Sequence, residues 1–212
     1  MFKRLLNNTV PVSRTSYICM TERKQADEEN QLLQNLLQAI GEAPDFHTAL
    51  SITLAQVCEV TGWDYGEAWI PCANDTVLEL SPAWYISTTR DSTSVASLEQ
   101  FRLCSEDFIL PPATGLPGRV WSSQQPEWIS DVSAESETYF LRNLIAKALG
   151  IRAGFGVPIL ANHQVLAVLV FFMLEVREED RRLVELVIAV ATHLGAMFHR
   201  SSALEALRRG EC

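Results

Sequence analysis

Two apolar segments late in the chain restrict its fold more than any other feature. Arg152–Leu160 and Gln164–Met173 are apolar almost without interruption and flank the short polar stretch Ala161-Asn162-His163. Runs of this length, rich in aliphatic and aromatic residues and split by a tight polar turn, form an antiparallel hairpin. Neither run alternates inward and outward residues, so each strand is expected to be covered on both faces or to be central in its sheet. From Arg177 to about Leu207 the spacing then predicts one long helix. Its apolar residues Leu183, Val184, Leu186, Val187, Ile188, Val190, Ala191, Leu194, Met197 and Phe198 cover more than one stripe. Such a helix packs on the sheet with one side and on a second partner with the other. A second copy of the chain supplies that partner, giving a homodimer formed through the N- and C-terminal helices.

The preceding residues build the rest of the domain. Residues 1–24 show no period and read as a flexible leader, followed by a single domain over 25–208. From Asp27, the residues Leu32, Leu33, Leu36, Leu37 and Ile40 share a helical stripe that Gly41 closes. Asp45 caps a second helix that buries Phe46, Leu50, Val57 and Val60 and ends near Gly62. Tyr65–Pro71 and Thr76–Ile86 read as strands joined at Asn74-Asp75. A short helix is expected around Ser94–Phe101, and a turn at Gly115–Gly118 leads into another through Trp121. Glu127–Val132 reads as a strand, and Tyr139, Leu141, Leu144, Ile145, Ala148 and Leu149 as an amphipathic helix stopped by Gly150.

Charge and cysteine usage exclude several classes of function. The net charge of −9 opposes nucleic acid and anionic lipid, and the local basic residues Arg177, Arg181, Arg182, Arg208 and Arg209 are interleaved with acidic ones. Cys19, Cys58, Cys72, Cys104 and Cys212 form no CxxC pair, so a secreted disulfide framework is not expected. The longest apolar run, Val165–Leu174, is half of what a membrane helix needs. The expectation is a cytoplasmic protein with no membrane or nucleic-acid partner.

Linked signatures carry a family resemblance. Thr114-Gly115-Leu116-Pro117-Gly118-Arg119-Val120-Trp121 resembles the G-L-P-G-R-V turn of GAF domains. Trp128-Ile129-Ser130-Asp131-Val132 resembles the strand that follows it, and Gly154–Ile159 with Val165–Leu169 resembles the family's closing "VPI…vigVL" hairpin. The match runs over roughly residues 45–200, and Trp63–Trp69 resembles the first strand of GAF domains in bacterial, particularly cyanobacterial, sensor histidine kinases. The resemblance implies an α/β (α+β) fold: a five- or six-stranded antiparallel sheet, helices on one face and a roofing segment on the other. It also implies a sensory input domain that binds a small ligand or chromophore, or responds to redox state, and signals through its last helix to a kinase-type output. The rival reading is a ligand-free dimerisation or scaffold module.

A cavity under the roof would be lined by Trp69, Leu80, Trp84, Phe101, Leu116, Trp121, Trp128, Tyr139, Phe155 and Phe171, with Arg119 and Asp131 meeting a ligand's polar edge or each other. The cofactor stays open. In the bilin-binding relatives that the chain resembles, a Cys-His pair precedes the "VPI" strand; here that position falls near Leu141 and Arg142, so a covalent bilin is not expected. An iron–sulfur cluster, as implied by resemblance to the chloroplast sensor kinase type, or a thiol sensor using Cys19 and Cys104 remain alternatives. His47, His163, His193 and His199 lack metal-site spacing. GAF proteins that reduce free methionine sulfoxide need a resolving thiol, and none follows Cys104 before Cys212. No P-loop, G-x-S-x-G or H-E-x-x-H motif occurs, so no catalytic centre is expected.

Overall fold

The computed structural model describes Gln34 and residues 38–72 and 74–209, the side chains of residues 200–209 excepted. The leader, most of the first helix, Cys19 and Cys212 lie outside the described residues.

Helix α1, Phe46–Thr61, begins where the Asp45 carboxylate accepts the Thr48 amide at 2.8 Å and ends at Gly62, whose φ of 76° places it in the left-handed region. Its buried face is Ala49, Leu50, Thr53, Leu54, Val57 and Cys58; Val60, expected inside, is exposed because it falls off that stripe. Strands β1, Tyr65–Pro71, and β2, Leu78–Ile86, follow as an antiparallel pair. Strand β2 starts two residues later than expected because the Thr76 hydroxyl turns back to donate to Asn74 Oδ1, prolonging the turn.

The roof then runs from α2, Ser92–Ser105, through α3, Gly115–Ser123, and strand β3, Glu127–Ile129, to α4, Asn143–Leu149. Asp91 caps α2 through the Thr93 and Ser94 amides, which lengthens it beyond the sequence expectation. Strand β3 is shorter than expected because Asp131 folds back to accept the Ser133 amide at 3.0 Å, a turn that leaves the ladder. Residues 139–142 likewise form turns before α4 instead of its first turn.

Strands β4, Ala153–Ala161, and β5, Gln164–Met173, form the expected hairpin. Ala161 pairs with Gln164, so the loop is Asn162-His163 alone, and both have positive φ, 49° and 63°, as in a type I′ turn. The sheet has five strands in the order β2-β1-β5-β4-β3, with neighbouring strands antiparallel, which makes the fold α+β. The hairpin strands have a neighbour on each side, one of the two arrangements that their uninterrupted apolar character allows.

Register decides which side chains meet the roof. Tyr65, Phe172 and Gly154 are aligned across β1, β5 and β4, as are Glu67, Val170 and Gly156. A side chain at Gly156 would strike Val120 and Leu116 of α3, so this row faces the roof. The alternate row, Gly66, Phe171, Phe155 and Trp128, faces α1: a side chain at Gly66 would meet Leu54 and Cys58.

The last helix, α5, Arg181–Arg209, packs Val187, Val190, Ala191 and Leu194 inward. A Cβ on its Gly195 would come within 2.0 Å of the Leu160 carbonyl oxygen, so helix and strand β4 touch through their backbones. The stretch Arg181–His199, with mean hydropathy 1.3, is long and apolar enough to cross a membrane by length and composition, a property the apolar-run criterion missed. Of that stretch 28% is buried, the share that includes Val187, Val190, Ala191 and Leu194.

Candidate functional site

The interior between sheet and roof is where a ligand would sit, and its centre is Glu67. This carboxylate is fully buried in the middle of β1 because a strand fixes every second side chain on the same face. A buried carboxylate requires partners for both oxygens. Oε1 accepts from Trp69 Nε1 at 2.8 Å and from Arg142 Nη2 at 2.6 Å; Oε2 accepts from the Tyr65 hydroxyl at 2.9 Å and from Arg142 Nη1 at 3.1 Å. Arg142 Nη1 also donates to the Ser105 hydroxyl at 2.7 Å, which in turn donates to the Phe101 carbonyl. The bidentate guanidinium–carboxylate geometry is the strongest form of this contact.

Aromatic rings enclose the guanidinium. It lies 4.8 Å from the Phe101 ring centroid, 5.1 Å from Phe172, 5.5 Å from Trp69 and 5.8 Å from Phe140. Burial pushes the Tyr65 phenol well above its ordinary range, so it remains a donor to Glu67. Tyr65, Trp69, Phe101, Phe140 and Phe172 are each no more than 1% exposed. Arg142 thus occupies the roofed space from the roof side, as the last residue before α4. Clefts of about 470 Å³, along Phe46, Ile70, Leu166 and Phe198, and about 380 Å³, along Pro71, Trp121 and His163, lie elsewhere on the surface.

A model of the GAF domain family matches residues 43–199. The chain belongs to the GAF family. Similar solved structures include a GAF domain of a phosphoenolpyruvate-protein phosphotransferase from Coxiella burnetii (22% identity, TM-score 0.63, 84% of this chain and 96% of that one). A free methionine-R-sulfoxide reductase of Neisseria meningitidis is 17% identical, with TM-score 0.64 over 85% of this chain and 93% of that one. A methyl-accepting chemotaxis protein fragment, 16% identical, aligns with TM-score 0.60 over 81% of this chain and 99% of that one. These likenesses establish the fold. A curated relative, the transcription factor bHLH13 of Arabidopsis thaliana, is 38% identical over 64 residues, 30% of this chain; the match spans 11% of the relative's length.

The GAF domain gathers part of the expected lining and scatters the rest. Trp69, Phe101 and Leu116 are in the roofed core, with Leu80 and Trp121 packed at its margin. Trp128, Phe155 and Phe171 are on the opposite face of the sheet, where they cluster with Trp63; alternation along the strands sends them there. Trp84 is 43% exposed at the edge strand, beneath the Arg102 guanidinium. Tyr139 is exposed too, its ring 3.8 Å from the Arg119 guanidinium carbon.

Arg119 and Asp131 do not meet. Arg119 pairs with Glu127 (Nη2–Oε1 2.5 Å) and donates to the Tyr139 carbonyl, while Asp131 accepts from Arg152 at 3.2 Å and from Ser133. Burial raises the Asp131 carboxyl, but the Ser133 hydroxyl and amide and the Arg152 charge outweigh it and hold the group below its usual range.

The bilin position, near Leu141 and Arg142, exposes the leucine and turns the arginine into the interior, an arrangement that does not fit a thioether-linked tetrapyrrole. Among the described residues the thiols Cys58, Cys72 and Cys104 lie on α1, the β1–β2 turn and α2, and no group of three His, Cys, Asp or Glu side chains could hold a metal ion. Cys104, a redox candidate, accepts a 3.4 Å hydrogen bond from Gln100. Cys72, which the sequence did not single out, is an activated thiol. The Thr76 hydroxyl and the Val77 amide lower it to about 7.

Sequence reading also missed Glu67 and Arg142 as a pair, 75 residues apart. The available signal was a lone acidic residue inside the otherwise apolar strand Tyr65–Pro71.

Proposed function

We propose that this GAF domain is a non-catalytic regulatory module whose roofed cavity is filled by its own side chains, and which signals through protein contacts. The observation that carries this reading is the Glu67–Arg142 pair, with all its principal partners supplied by the chain itself. A ligand entering beneath the roof would have to displace a doubly hydrogen-bonded guanidinium from four aromatic neighbours, which a loosely bound metabolite cannot do. The chemotaxis protein named above supports a role in signalling, and the local match to a transcription factor supports a regulatory one. The output element is α5, docked backbone-to-backbone on β4, and we take it to pair with α5 of a second copy in a homodimer.

An absorption spectrum of the purified protein tests the filled interior, together with titration by haem, biliverdin and free methionine-R-sulfoxide monitored by tryptophan fluorescence. The expected result is a protein band alone and no saturable quenching at micromolar concentrations. A visible chromophore band, or saturable binding abolished by Trp69→Leu, overturns the reading in favour of a ligand sensor.

A further inference from the structure

Large apolar side chains that remain in water are unevenly distributed on this domain. Among the described residues, Leu103, Ile109, Leu141 and Leu144 are 48%, 60%, 40% and 61% exposed, and all four belong to the roof. They come from three segments that the interior bonds hold together. Arg142 bonded to Ser105 sets Leu141 and Leu144 beside the end of α2, from which Leu103 projects. A Cβ added at Gly115 would lie 3.7 Å from Leu141 Cβ and 4.0 Å from Leu110 Cδ2, which places Leu141 near the segment that carries Ile109. Buried Arg142 thus anchors a roof whose outer surface is greasy, an arrangement that costs solubility unless something covers it.

Uncompensated charge on the roof is mainly acidic, although Lys147 lies three residues after Leu144 on the same helix. Among the described residues Glu99, Asp107, Glu135 and Glu137 form no ion pair, and Lys147 is the single cation on the roof in the same condition; Arg102, Arg119 and Arg142 are each committed to a carboxylate. Glu99 lies one helical turn before Leu103 on the same face of α2, and Asp107 flanks Ile109. We infer that the outer face of the roof is a docking surface for a basic, amphipathic helical segment of a partner protein, whose apolar side covers Leu103, Ile109, Leu141 and Leu144 and whose lysines or arginines meet the acidic rim. The acidic rim repels anionic lipid, and a second copy would set like charges against each other. This inference rests on the reading of the roof as a closed, self-filled lid, and names what it presents outward.

The test uses the full chain and a fluorescein-labelled model peptide of about 18 residues, leucine at helical i, i+3, i+4 spacing and lysine elsewhere, with a glutamate-for-lysine peptide as control. The lysine peptide is expected to bind and to weaken at high salt, and the glutamate peptide is not. Leu144→Glu and Leu103→Glu each weaken binding by about tenfold or more, whereas Val60→Glu, at the end of α1, leaves it unchanged. All three positions are exposed, and melting curves are to check that each variant folds. Equal binding of both peptides, or binding indifferent to Leu144→Glu, overturns the inference. So does conversion of a dimer to a monomer by Leu144→Glu, which would assign the patch to a second copy, or preferential binding to phosphatidylglycerol vesicles. The absorption spectrum described above reads the interior independently, so failure of one reading is distinguishable from failure of the other.

Discussion

Glu67 and Arg142 are the residues on which the interior depends, and each is nearly fully buried. Removing one partner leaves an uncompensated charge in an apolar space, which costs about 3–5 kcal/mol. Arg142→Met is therefore expected to lower the urea midpoint severely. Adding Glu67→Gln removes the second charge while keeping a carbonyl acceptor for Trp69, and should recover roughly half of that loss. Strict additivity of the two substitutions in denaturation experiments would show that they do not act as a pair. At the surface, Cys72 titrates at about 7 because the Thr76 hydroxyl and the Val77 amide favour its thiolate. Iodoacetamide should modify it with a pH midpoint near that value, since the thiolate is the nucleophile and accumulates above the pKa. Cys58, pushed well above its ordinary range by burial, should stay unmodified while the protein is folded. Peptide mass spectrometry across pH checks both statements; Thr76→Val should move the Cys72 midpoint upward.

The β4–β5 hairpin shows how an element can be right in sequence and still carry local strain. Its turn places His163 at a φ of 63°, a conformation that glycine adopts freely and a histidine does not. The backbone carbonyl of His163 accepts from Gln124, a bond that survives loss of the side chain. His163→Gly is expected to stabilise the domain by about 1 kcal/mol, and His163→Ala to give no such gain. Thermal unfolding that ranks the alanine variant with the glycine variant would remove strain as the cause.

At the scale of the whole molecule, α5 shows the sheet one face and leaves Leu183, Val184, Leu186 and Ile188 half-buried. Val187 and Leu194, which sequence alone allows as outward positions, are fully buried against the domain, so they are unsuitable probes of assembly. Ile188→Glu is the appropriate probe. The unmodified chain is expected to scatter light as a dimer at tens of micromolar and the variant as a monomer, with melting temperatures close to one another. A monomeric unmodified chain would refute the dimer. With the roof surface proposed above, the two sides of the domain would then take different contacts: α5 a second copy, the roof another protein.

The sequence by itself determined the strands, the hairpin turn, the long helix and the family, because those depend on local periodicity and short motifs. The aromatic-rich run of β1, the uninterrupted apolar runs of β4 and β5, and Gly115–Gly118 are all legible within about ten residues of chain. Strand order, sheet face and partnership depend on contacts between distant residues. Phe155 and Phe171 look as suitable for a cavity as Trp69 does, yet one register places them beneath α1 and Trp69 beneath the roof. Arg119 found Glu127 instead of Asp131 because β3 ends at Ile129 and Asp131 turns back on Ser133. Arg142, which sequence marked as a position lacking a thiol, became the occupant of the interior only when the roof brought it over Glu67. A one-residue change of register inverts every side chain in a strand, and no local pattern in the roof specifies which strand residue it will meet.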